Sequence, residues 1–175
     1  MSAALPAVAA LALAGCASQA DTTTSSPAAS PTASQDCSPE SLQTLKPGTL
    51  TIGTDSPAYP PYFEDDDPSN GKGFESAVAY AVADQLGFSQ DQVTWVTVPF
   101  NKSYAPGTKD FDFDINQISI TPKRQKAVDF SDGYYTVNQA VVALKDSPIA
   151  NATTLAELQD AKLGAQVGTT SLDFI

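Results

Sequence analysis

The sequence predicts an α/β protein built on a mostly parallel sheet, and three observations carry that reading. Short β-branched runs alternate with one long helical pattern and several Pro/Gly-rich connections. Hydrophobic residues make up 42% of the 175-residue chain, enough for a packed core. The apolar strand "FDFDINQISIT" (111–121) ends in polar residues, as strands do when their carboxyl ends face a ligand crevice. No internal repeat is visible.

The amino-terminal part lies outside this pattern. The apolar run "ALPAVAALALA" leads into Leu13-Ala14-Gly15-Cys16 and is too short to span a bilayer. It reads as a signal peptide over 1–15 that leaves Cys16 at the mature terminus. Residues 16–36, rich in Ala, Ser, Thr and Pro, cannot bury enough surface to offset their ordering entropy and read as a tether. Cys37 is the only cysteine after that tether, and its disulfide partner is expected outside this chain.

The elements then follow in order. "GTLTIGTD" (48–55) is a first strand with Leu50 and Ile52 on one face, bounded by Pro47-Gly48. A proline-stiffened loop carries Tyr59 and Tyr62. "GFESAVAYAVADQLG" (73–87) predicts a helix with the stripe Phe74, Val78, Val82 and Leu86, stopped by Gly87. "QVTWVTV" (92–98) is a second strand, and 101–113 a Pro/Gly loop. Strand 111–121 should place Phe111, Phe113 and Ile115 on one side. An apolar run covers 137–145, and Thr154 with Glu157 forms a capping box for a helix at 155–161. A further strand is expected at 162–167, with "GTTSLDFI" a loop entering a helix. That last helix has no stop signal and no strand after it, so the sequence reads as truncated at its carboxyl end.

Composition excludes several functions. Nine cations face twenty carboxylates, a net charge of −11 that offers no basic stripe for nucleic acid. Histidine is absent, which removes Ser-His-Asp and Cys-His nucleophile systems and histidine zinc sites. "DDDPSNG" (65–71) fits a calcium loop poorly, because Asn70 stands where the turn glycine is needed. Asp112 and Asp114 read as strand-edge or capping groups. No metal, cofactor or catalytic residue is expected.

The candidate site gathers around the one arginine in the chain, Arg124, in "SITPKRQKAVDFSDGYY" (119–135). Taken alone, Thr121-Pro122 is an ordinary helix start and Arg124 a surface helix residue. Its context is the polar strand end Asn116, Gln117 and Ser119, where a guanidinium fork suits a carboxylate. Asp55 stands at the carboxyl end of the first strand, so the two charges together would suit a zwitterion. Tyr59 and Tyr62 could wall the pocket or merely pack the loop. Gly168, Thr169 and Thr170 offer backbone N–H groups and hydroxyls to an anion.

With these residues in hand, the chain resembles the extracellular solute-binding proteins of family 3, the amino-acid-binding components of ABC importers. The resemblance rests on "SITPKRQKAVDFSDGYY" together with "TIGTDSPAYPPYF", "GKGFE" and "KLGAQVGTT" in that order. It implies a type II periplasmic-binding-protein-like fold of two lobes closing on a ligand, with lobe 1 at 37–136 and the start of lobe 2 at 137–175. It implies that Arg124 grips the ligand α-carboxylate, with Ser119, Gly168, Thr169 and Thr170 beside it, Asp55 near the polar groups and Tyr59 at the cleft. It also implies a lipoprotein anchored through Cys16 on the outer face of the cell membrane, monomeric, handing a polar amino acid to an ABC permease. The family often has small residues at Asn116 and Gln117, so these amides would reshape the pocket. Two other expectations compete: an enzyme on the same fold, of the cyclohexadienyl dehydratase kind, or a sensing or adhesion module.

Overall fold

The computed structural model describes residues 38–175. The expected signal peptide, the tether, Cys16 and Cys37 lie outside the described residues. Three parallel strands form the sheet in the order β2-β1-β3: β1 (Leu50–Thr54), β2 (Val93–Thr97) and β3 (Phe113–Asp114). β1 is buried at every position, as the central strand of a parallel sheet must be. Leu50 and Ile52 both enter the core, as their alternation predicts.

Between β1 and β2 runs α1 (Phe74–Gln85). Its predicted stripe is corrected by the structure. Phe74 and Val82 are each 39% exposed, and the most deeply buried positions are instead Glu75, Ser76, Ala79 and Ala83. Small residues win that face because they let the helix axis approach the sheet. Val78 and Leu86 still pack at its margin. The predicted stop is present: Gly87 N–H donates to the Asp84 carbonyl (3.0 Å) and Phe88 N–H to that of Ala83 (2.9 Å), a Schellman closure. Phe88 then joins Leu50, Ile52, Ala58, Phe63, Ala79, Ala83 and Ile115 in the core. Phe63 and Ile52 are fully buried, each contributing about 1.5–3 kcal/mol of transfer free energy.

The start of α1 matters for the site. Its first N–H groups are capped by the tyrosine loop rather than by a side chain: Phe74 donates to the Pro61 carbonyl (3.0 Å) and Glu75 to that of Tyr62 (2.9 Å). Gly73, at φ +90°, makes this possible, since a Cβ there would lie 2.5 Å from the Tyr62 carbonyl oxygen. The acidic run builds the turn before it. Asp66 accepts the Ala58 N–H (2.6 Å), and Asp67 accepts that of Ser69 (2.9 Å).

The 111–121 strand is shorter than its sequence implied. Ladder bonds run from Asp112 N–H to Ile115 N–H, and the regular strand is only β3. Gln117 then takes φ +45°, which turns the chain out of the sheet. Phe113 and Ile115 face the core as predicted, but Phe111 does not: it lies over Gly53 on the other face. Asp112 has the structural role expected of it, accepting from Leu45 N–H (2.6 Å) and Thr51 N–H (2.7 Å). In the segment read as a loop, Phe100–Ser103 forms one helical turn, α2.

Two expected apolar elements differ more. Neither 137–145 nor 162–167 forms a strand, and Val142 and Leu144 are more than four-fifths exposed. A strand is defined by its ladder, and neither run has a paired neighbour. The capping box is present, with the Thr154 N–H donating to Glu157 Oε2 (3.0 Å), but it opens a 3₁₀ turn at Leu155–Leu158. The final helix is as predicted: α3 (Thr170–Phe174), capped by Thr169, which accepts the Leu172 N–H.

Candidate functional site

Two charged side chains organise the region beyond the carboxyl ends of β1 and β3. The first is Arg124, only 6% exposed. The loop after β3 carries it inward: Thr121 Oγ1 accepts the Arg124 N–H (3.2 Å), starting the 3₁₀ turn Arg124–Lys126. Its Nη1 donates to the Ser119 carbonyl and its Nη2 to the Gly168 carbonyl, each at 2.7 Å. The guanidinium lies 4.3 Å from the ring centroid of Tyr104 and 5.7 Å from that of Phe100. Cation–π contact with these two rings, set at 80° to each other, helps hold the fork in place.

Around it the structure assembles Ser119, Gly168 and Thr170 of the residues the sequence nominated. Ser119 Oγ is 3.3 Å from Thr170 Oγ1. Gly168, at φ +83°, brings its carbonyl to both Arg124 and the Tyr104 hydroxyl (2.8 Å); a Cβ there would lie 2.5 Å from that hydroxyl. Thr169 caps α3. Segments separated by more than forty residues therefore meet at one guanidinium. Among the described residues both hydrogen-bond partners are neutral carbonyls; two of the five donors are spent, and no bonded carboxylate neutralises the charge.

The second group is Glu75, fully buried at the first turn of α1. Its Oε1 accepts the Gln117 N–H (2.7 Å) and the Tyr134 hydroxyl (2.6 Å), and its Oε2 accepts from Gln117 Nε2. Burial and the bond to Glu75 hold the Tyr134 phenol well above the usual tyrosine range. Tyr62, Glu75, Gln117, Ser119, Tyr134 and Tyr135 line a cavity beside it. Tyr62 meets Tyr135 edge to face at 6.3 Å.

The remaining nominated residues are not all brought together. Asp55 is half-buried and accepts the Ser56 N–H (2.8 Å), with no contact to Arg124. Tyr59 is 68% exposed; its carbonyl, not its ring, does the local work by accepting the Tyr62 and Phe63 N–H groups. Asn116 is buried with its Nδ2 unpartnered among the described residues. Beside Gly53, Asp114 has both carboxyl oxygens buried and without a hydrogen-bond partner among the described residues. Burial, then the charges of Glu75 and Asp55, push it up to about 7 against the pull of Lys109.

Sequence reasoning missed Glu75, Tyr134, Tyr104 and Phe100. An acid in a helix's first turn complements the dipole and reads as surface. The usable signal was its setting, directly after the Gly-Phe that follows the tyrosine loop.

Residues 50–170 match the family model of the bacterial extracellular solute-binding proteins, family 3. The chain belongs to that family. Its fold is accordingly the type II periplasmic-binding class, of which the parallel sheet is a part. Among curated relatives, it is 36% identical to the arginine-binding extracellular protein of Bacillus subtilis over 120 residues, 68% of this chain and 44% of that protein. It is 32% identical to the lysine/arginine/ornithine-binding periplasmic protein of Escherichia coli over 126 residues, 71% and 46% of the two chains. The glutamine-binding protein of Geobacillus stearothermophilus is 28% identical over 148 residues, covering 82% and 55%. The chain thus spans about half the length of the curated relatives it matches. No solved structure matches it significantly.

Proposed function

We propose that the protein carrying this chain is the substrate-binding component of an ABC importer. It captures a polar amino acid or similar small zwitterion and delivers it to a membrane permease. The observation that carries this reading is the buried Arg124, in cation–π contact with Tyr104, whose charge no bonded carboxylate among the described residues neutralises. A ligand carboxylate is a stronger acceptor for that fork than the carbonyls of Ser119 and Gly168, because it adds charge neutralisation to paired hydrogen bonds. The Ser119 and Thr170 hydroxyls stand ready to donate to the same group. Asp55, at the end of β1, supplies the opposite charge for the ligand's cationic end.

In this reading 37–136 belongs to lobe 1 and 137–175 to lobe 2. Arg124 and Ser119 then come from one lobe and Gly168, Thr169 and Thr170 from the other. A ligand bridging them would favour the closed form by its differential contacts, and the permease would read closure. The relatives described above are binding proteins for arginine, for lysine, arginine and ornithine, and for glutamine, which supports a solute-binding role. The first two are named as extracellular and periplasmic proteins, which supports an extracytoplasmic location. We add that a monomer anchored by lipid at Cys16 on the outer face of the membrane suits delivery to a permease.

Calorimetric titration of the protein with the twenty amino acids tests the reading. Arg124→Ala is expected to weaken the best ligand at least about tenfold, or 1.4 kcal/mol. Unchanged affinity would remove Arg124 from the site.

A further inference from the structure

Glu75 and Gln117 carry an inference that rests on the binding reading and deepens it. We propose that Glu75 is a positioning residue that fixes the Gln117 amide with its carbonyl oxygen as a free acceptor of the pocket wall, so that the cleft selects ligand side chains that donate hydrogen bonds.

Gln117 follows β3 in the left-handed region, at φ +45°, where a non-glycine residue is held at a cost of about 1–2 kcal/mol. Glu75 offsets that cost by gripping the residue twice, through its backbone N–H (2.7 Å) and through Nε2. A primary amide held by its nitrogen cannot turn end for end without losing the bond. One of its two N–H groups is spent on Glu75, which fixes which end of the amide is nitrogen, and Oε1 is left with no protein donor among the described residues. Gln117, an exposed residue, lines the cavity together with Tyr62 and Tyr134. The wall therefore offers an acceptor there.

The same carboxylate also holds a second segment of the lining. Tyr134 donates to Oε1 (2.6 Å), the oxygen that accepts the Gln117 N–H, from the segment 130–135 that lines the same cavity. Tyr134 and Tyr135 also pack on Phe74, next to Glu75, with ring centroids 6.1 and 5.3 Å apart. Glu75 thus ties the sheet end, the helix start and that segment with one side chain. An apolar ligand side chain at this wall would leave Oε1 desolvated and unpaired, the asymmetry that makes a missing donor costly.

The test measures a ratio of affinities in the protein carrying this chain, titrating arginine and glutamine against methionine, which has no donor on its side chain. The parent is expected to prefer a donor-bearing ligand at least about tenfold. Glu75→Gln loses the one-way tether, because two amides can pair in either sense, and should reduce that preference at least about fivefold. Gln117→Gly keeps the backbone bond and the positive φ but removes the amide. It should reduce the preference similarly, and it keeps the test decisive if Glu75→Gln does not fold. Equal weakening of all ligands in both variants would make Glu75 merely structural and overturn the proposal. A parent that binds donor-bearing ligands and methionine equally would overturn it too, while leaving the binding reading intact. A parent that binds no amino acid would sink the binding reading itself.

Discussion

Arg124 and Glu75 are both buried charges beyond the carboxyl ends of the same sheet, and they spend their hydrogen bonds differently. Arg124 gives two of five donors to neutral carbonyls and makes cation–π contact with Tyr104 and Phe100. Glu75 accepts from three donors that belong to two different segments. The arginine is oriented but electrostatically open, which is what an anion site requires. The glutamate is closed, which is what a joint between segments requires. A buried charge is therefore read less by its identity than by what it has left unspent.

The contrast breaks first at Glu75. Glu75→Ala would strand the Gln117 N–H and the Tyr134 hydroxyl without an acceptor and release a strained turn. It is expected to cost about 3 kcal/mol of stability by denaturant unfolding. A loss below about 1 kcal/mol would mean that the glutamate holds little, and the distinction between the two groups would fail.

Asp114 sharpens the comparison as a third buried ionisable group with neither role. Its carboxyl has no hydrogen-bond partner among the described residues, and burial, Glu75 and Asp55 push it up from 3.8 to about 7. Between those values the unfolded chain releases the proton while the folded chain keeps it. Stability therefore falls as pH rises through this window and stays reduced above it. Asp114→Asn should abolish that decline and be more stable than the parent at pH 8 by on the order of 2 kcal/mol. Chemical unfolding at pH 4 and pH 8 checks the sign; a variant that keeps the parent's decline would show that Asp114 is not its source. The smallest effect is expected from Tyr134→Phe, which removes one of three donors to Glu75 and keeps the ring on Phe74. It should cost about 1 kcal/mol.

How far the sequence could be read follows from the kind of signal each residue gives. Leu50, Ile52 and Gly87 were legible because alternation and a stop signal are local patterns with one structural answer. Arg124, Ser119, Gly168 and Thr170 were legible because polar groups at strand and helix ends contradict an apolar pattern. The face of α1 was not, because Ala79 and Ala83 carry little hydrophobic weight although close approach favours them. The strand expected at 162–167 failed for another reason, and the apolar run 137–145 forms no strand either: pairing is not encoded in a single run. Glu75 was hidden because the helix dipole already explains an acid at that position, and only the fold reveals that it is buried. Asp55 and Tyr59 were chosen by position along the chain, and the structure gives them no contact with Arg124.

The claim that Arg124 binds while Glu75 builds is tested most directly by one calorimetric comparison. Arg124→Ala and the parent are titrated with the amino acid that the parent binds best. The account predicts affinity at least about tenfold weaker in Arg124→Ala while the variant remains folded at the titration temperature. Affinity within twofold of the parent, in a folded variant, would contradict it.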